Sequence, residues 1–123
     1  MNTKVRYHLL LCASSKKQLC CKSTQGIKSW ERLKNILKNL NLDSPNHPKG
    51  MILRSKVDCL RVCKSGPILL IWPDGIWYEN VSPKRIDAII TNHLIKGNPI
   101  KEWIIKETPL ASFTKELRTR TTS

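Results

Sequence analysis

No stretch of the 123 residues is apolar for the length of a membrane span, so the chain reads as a soluble protein with no membrane partner. It contains no G-x-x-x-x-G-K-[ST], no G-x-G-x-x-G and no H-E-x-x-H, which removes the familiar phosphate-cradling and zinc-protease signatures. There is no C-x-x-C, the spacing that thioredoxin-type thiol catalysis places between a first strand and a first helix. His8, His47 and His93 stand beside no evident nucleophile, so no catalytic triad is suggested, and the chain is read as a non-enzyme. Internal repeats are absent. Acidic residues are scarce, 9 against 22 Lys and Arg, which leaves a net charge of +13. Yet no run of four or more consecutive basic residues occurs. A nucleic-acid footprint needs its charge gathered into a patch or stripe. Scattered lysines, in a chain also rich in isoleucine and asparagine, fit a solvated surface shaped by A/T-rich codons better.

What the chain does have is five cysteines, at 12, 20, 21, 59 and 63. The opening MNTKVRYHLLLCASS has a small basic region and a short apolar run. That run is brief for a signal peptide and suits a first strand. A cytoplasmic setting follows from this reading. In a reducing compartment cysteines serve more often as metal ligands or reactive thiols than as disulfides.

The stretch Ser55 to Val81 organises the chain: a cysteine pair on a loop, an apolar strand, a tight turn and a returning strand. Val5 to Cys12 reads as a buried strand that ends at its first cysteine, the C-terminal edge where α/β folds place their sites. Ala13 to Gly26 is a polar loop carrying Cys20 and Cys21. Ser29 to Leu42 is the first helix, with Ser29 as N-cap, Glu31 in the first turn, and Trp30, Leu33, Ile36, Leu37 and Leu40 on its apolar face. Asp43 to Gly50 is a turn-rich connector in which His47 reads as an exposed loop residue. Met51 to Asp58 is a second strand. Ile68 to Val81 is a hairpin turned by Pro73-Asp74-Gly75, with Trp72, Trp77 and Tyr78 as packing residues and not a base-stacking platform. Ser82 caps a second helix that runs to Gly97, with Pro83 first and Ile86, Ile89, Ile90, His93 and Leu94 on one face. Residues 1–105 form one domain, and 106–123 are read as a flexible basic tail. The resulting order is β-α-β-β-β-α, an α/β fold.

Cys12, one of the Cys20/Cys21 doublet, Cys59 and Cys63 together can make a four-thiolate metal site. In a helical turn, Cys59 and Cys63 share one face, with Leu60 and Val62 shielding them and Arg61 and Lys64 favouring thiolates. Structural zinc wants short knuckles on both sides, and only C-x3-C at 59–63 passes. An iron–sulfur cluster accepts wider, unequal spacings. Spacing alone leaves zinc and cluster open. The alternative to a cluster protein is a zinc-stabilised or metal-free basic binding module for nucleic acid or an acidic protein.

HLLLC at 8–12, the cysteine-bearing loop to Gly26, C-x3-C at 59–63, GPILLIWPDGIWYENVSP at 66–83 and HLIKGNPI at 93–100 decide between them. Together these segments resemble the thioredoxin-like [2Fe-2S] ferredoxins. The resemblance implies a thioredoxin-like fold with a four-stranded mixed sheet and two main helices. It implies a [2Fe-2S] cluster held by Cys12, Cys21, Cys59 and Cys63, one-electron transfer to redox partner proteins, and a homodimer. Cys21 is preferred to Cys20 because its offset to Gly26 is nearer the family's, though one residue longer. The basic balance departs from the many acidic ferredoxins and predicts partners with an acidic face.

Overall fold

The computed structural model describes residues 4–12, 23–57 and 66–108. Strand β1 is Val5–Cys12, helix α1 Ser23–Asn39, β2 Met51–Val57, β3 Leu69–Trp72, β4 Ile76–Tyr78, helix α2 Pro83–Ile89 and β5 Ile104–Glu107. The strands form one sheet in the order β2-β1-β3-β4-β5. β1 and β2 run parallel, joined through α1, and the other neighbours are antiparallel. The expected mixed α/β sheet is present, with five strands instead of four. The fifth comes from Trp103-Ile104-Ile105 and its continuation. It pairs Tyr78 with Ile104, Trp77 with Lys106 and Ile76 with Glu107, so the sheet reaches beyond the boundary expected at 105. Its sequence, IIKE, is too short and too polar for a period-two signal, and its three neighbours across the ladder are what order it.

Alternation sorts the strands into two faces. Leu9, Leu11, Ile52, Leu69, Ile71, Ile76 and Tyr78 point to the side that both helices cover, where Leu33, Ile36, Leu37, Ile86, Ile89, Ile90 and Leu94 meet them. Helix α1 starts six residues before the expected Ser29 and stops at Asn39. Its end explains why Leu40 is 46% exposed and not on the core face. Asn41 takes φ +56, its amide donates to the Lys38 carbonyl, and the amide of buried Leu42 donates to the Leu37 carbonyl. That is a Schellman closure with asparagine in the left-handed position, which turns Leu40 outward and Leu42 in.

The hairpin forms as its turn residues dictate. Gly75 supplies φ +69, and its amide donates to the Ile71 carbonyl at 2.7 Å. Helix α2 begins as expected, with the Ser82 hydroxyl accepting from the Arg85 amide and Pro83 in the first turn. Beyond Ile89 the helix widens into π-helical turns over Ile90–Ile95, closed by Gly97 at φ +77. An Arg32–Asp87 pair at 2.6 and 3.0 Å ties α1 to α2.

Candidate metal centre

Cys12 ends β1 with 1% of its surface exposed, packed on the helix-free face with Ile68, Val57 and Trp77. Its amide donates to the Ile68 carbonyl at 3.0 Å, so the strand pairing continues to the last residue. On the other side Cys12 pairs with Val57, the last residue of β2. Cys20, Cys21, Cys59 and Cys63 lie outside the described residues, as do Leu60, Arg61, Val62 and Lys64. Among the described residues no group of three metal-ligating side chains occurs.

The described chain nevertheless fixes the anchors of both cysteine-bearing segments. The first leaves at Cys12 and rejoins at Ser23, the start of α1. The second leaves at Val57 and rejoins at Gly66-Pro67. Three of these anchors are neighbours through the Cys12 pairing with Val57 and Ile68. The fourth, Ser23, opens the helix that Ser29, six residues further on, ties to the second segment's exit. The Ser29 hydroxyl, fully buried, donates to the Val81 carbonyl at 2.6 Å, and the Val81 amide donates to the Pro67 carbonyl at 2.9 Å. A cavity of about 260 Å³ lies here, lined by Gln25, Lys28 and Ser29 from α1, by Gly66 and Pro67, and by Asn80, Ser82 and Pro83. The N-terminal half of α1 therefore borders the exit of the second cysteine segment. Ser29 is not the N-cap the sequence suggested. It sits four and seven residues before Leu33 and Ile36, and that spacing marks it as a core-facing position.

A second polar constellation lies at the far end of the hairpin. His93 is 1% exposed, with Nε2 2.6 Å from Asp74 Oδ2 and Nδ1 2.8 Å from the Tyr78 hydroxyl. The Ile100 amide donates to that same hydroxyl at 3.0 Å. A carboxylate only accepts, so Nε2 carries the hydrogen, and in the neutral ring Nδ1 accepts from Tyr78. Burial pushes the Tyr78 phenol up to about 12; the Ile100 amide opposes this and the Asp74 charge adds to it. His93 is thus the packed histidine expected from its helix face. Asp74 precedes Gly75 in the turn after Trp72, which pairs with His8, whereas the Cys12 end of the sheet holds Leu69. The network belongs to the scaffold and not to the thiol site. Trp77 and Tyr78 serve the hairpin too: Tyr78 is buried, and the Trp77 indole donates to the Thr108 hydroxyl at 2.9 Å. His47 is half-buried and takes the Lys49 amide on Nδ1. No described helix is long and apolar enough to cross a membrane.

No protein-family model matches the chain. A 2Fe-2S ferredoxin of Clostridium pasteurianum is 26% identical over 100 residues, covering 78% of this chain and 92% of that protein. A putative 2Fe-2S ferredoxin of Priestia megaterium is 29% identical over 102 residues, covering 83% and 72%. The solved thioredoxin-like [2Fe-2S] ferredoxin of Aquifex aeolicus superposes with a TM-score of 0.69 at 21% identity, over 85% of this chain and 93% of that one. Donor chemistry and fold agree with these relatives, since thiols suit an iron–sulfur group and three of the four anchors of the thiol-bearing segments meet at Cys12. The resemblance carried by residues 8–12, the loop to Gly26, 59–63, 66–83 and 93–100 is borne out: the relatives are 2Fe-2S ferredoxins, and the fold is that of a solved thioredoxin-like [2Fe-2S] ferredoxin.

Proposed function

We propose that the chain holds one [2Fe-2S] cluster on Cys12, Cys21, Cys59 and Cys63 and works as a one-electron carrier, not as an enzyme. The observation that carries this reading is the meeting of three of the four segment anchors at the buried end of β1. Parallel neighbours lie about 5 Å apart, and each residue of chain reaches at most about 3.6 Å. Two residues after Val57, Cys59 is therefore tethered close to Cys12. Cys63 lies three residues before Gly66, close in sequence to the Ile68 partner of Cys12, and Cys21 lies two residues before the start of α1. The relatives named as 2Fe-2S ferredoxins support the cluster as the occupant over zinc.

The cluster supplies reversible one-electron chemistry. The chain's own residues set its surroundings. Cys12 offers a thiolate from a position walled by Ile68, Val57 and Trp77, which keep water from that side. Two ferric ions, two sulfides and four thiolates sum to about −2, and net charge is one lever on potential. The basic surface favours the more negative reduced state and a partner with an acidic face. A homodimer acting in the cytoplasm completes the reading. Single alanine variants test the ligand set. Cys12→Ala, Cys21→Ala, Cys59→Ala and Cys63→Ala are each expected to lose most of the bound iron, while Cys20→Ala keeps it at two per chain. Retention of iron by Cys21→Ala together with its loss in Cys20→Ala would reverse the choice within the doublet. Full retention by Cys12→Ala would overturn the site.

A further inference from the structure

Strand β2 is an edge of the sheet, and only part of that edge is covered. It pairs with β1 on one side, and no described strand lies on the other. The Met51 amide donates to the Lys4 carbonyl, toward β1, whereas the next amide, Ile52, donates the opposite way to the Leu42 carbonyl at 2.9 Å. Successive residues of a strand aim their backbone groups at opposite edges, so Arg54 and Lys56 share the outward direction of Ile52. The connector after α1 covers Ile52 through Leu42 and reaches Arg54 through Asp43, whose carboxylate stands 3.7 Å from the guanidinium. Lys56, beyond it, is exposed. Beside this edge α1 presents a side that is both apolar and basic. Arg54 and Lys56 follow buried Ile52 at steps of two and so point to the helix-covered face. Both cations lie over one ring, Trp30, each 5.5 Å from its centroid. Ile27, one turn earlier on the helix, is 54% exposed, and Lys34, one turn later, is held by Glu31 at 3.1 Å. Lys56 has no carboxylate partner among the described residues. Two like charges drawn to one ring repel each other, and a carboxylate placed between them relieves that repulsion.

We propose that this open edge is the docking site for an extended acidic segment of a partner protein. The segment adds a strand outside β2, sets carboxylates on Arg54 and Lys56, and lays an apolar side chain on Ile27 and Trp30. Backbone pairing supplies the attraction, and the side chains beside it choose the partner. Outward amide and carbonyl groups favour a peptide over nucleic acid, which has no ladder to offer them. Pairing with β2 of a second copy would set this basic strand against itself, and like charges across a ladder are unfavourable. Lys56 pairs with Leu11, one step from the pairing of Val57 with Cys12, so the edge lies at the thiol end of the sheet. The inference thus rests on the electron-carrier reading for the use of the site, and on the edge and its charges alone for the binding.

Binding of a synthetic peptide to the full-length, cluster-loaded protein tests it. The probe is a short fluorescein-labelled peptide alternating glutamate with valine. Affinity is read by fluorescence anisotropy, and protection of the edge by hydrogen exchange with mass spectrometry. The expected result is saturable binding with slowed exchange over Arg54 to Val57. Lys56→Glu and Ile27→Glu, both at exposed positions, are each expected to weaken the affinity by about tenfold. Iron is counted on the same samples, so loss of the cluster and loss of docking are read separately. No binding would overturn the proposal, as would binding that Lys56→Glu leaves unchanged, or protection confined to other strands. Slowed exchange over Arg54 to Val57 with oligothymidine but not with the peptide would assign the surface to nucleic acid. Slowed exchange there without peptide, growing with protein concentration, would assign it to a second copy. Either result would overturn the proposal as well.

Discussion

Ser29 places a hydroxyl in the core, between α1 and the start of α2. A buried hydroxyl that donates at 2.6 Å to a carbonyl is satisfied; removing it leaves the Val81 oxygen without that donor. Leaving a buried acceptor unmet costs about 1–3 kcal/mol. Ser29→Ala is therefore expected to lower unfolding stability by about that much in denaturant titrations, with the same m-value. A loss below a few tenths would show that Val81 is satisfied elsewhere. The change should also loosen the cluster site, because Ser29 and Val81 hold the first turns of α1 against Pro67. Sequence alone showed the residue but not its partner, since 52 positions separate the two. Cys12 was legible for a different reason: an apolar run that stops at a cysteine gives both burial and position.

At the scale of elements, β4, the π-helical turns after α2 and the hairpin turn are coupled by one chain of hydrogen bonds, Asp74–His93–Tyr78–Ile100. The folded state favours the neutral Tyr78 phenol, whose value rises from 10.0 to about 12. The sign follows from linkage. A raised folded pKa on a group that becomes an anion means stability is intact below pH 10 and is lost as pH climbs from 10 toward about 12. Stability measured from pH 8 to 12 should fall along the upper limb, and Tyr78→Phe should flatten that limb. An unchanged slope in the variant would contradict the assignment. Other elements show where pattern reading succeeds and fails. The start of α2 was readable because Ser82-Pro83 is a local signal, and the hairpin because Pro73-Asp74-Gly75 acts within a few residues. The end of α1 was not, because Leu40 keeps the apolar spacing past the point where Asn41 turns the chain. β5 was missed because its order comes from β4 and not from its own four residues. The π-helical turns carry no period that distinguishes them, and nothing local announces that His93 is anchored at both nitrogens.

For the whole molecule, the charge of +13 bears on association more than on the fold. Charge steers encounter, and salt screens exposed charges over about 8–10 Å near physiological strength. If the partner presents an acidic face, the rate of electron exchange with its reductase should fall as ionic strength rises; a rate that rises with salt would contradict that partner chemistry. The central claim concerns the cluster itself. It is tested most directly by counting iron, acid-labile sulfide and zinc on protein purified without oxygen, with the visible spectrum recorded before and after reductant. Two irons and two sulfides per chain are expected, with colour that bleaches on reduction. A colourless protein with one zinc, or with no metal after anaerobic reconstitution, would contradict the claim.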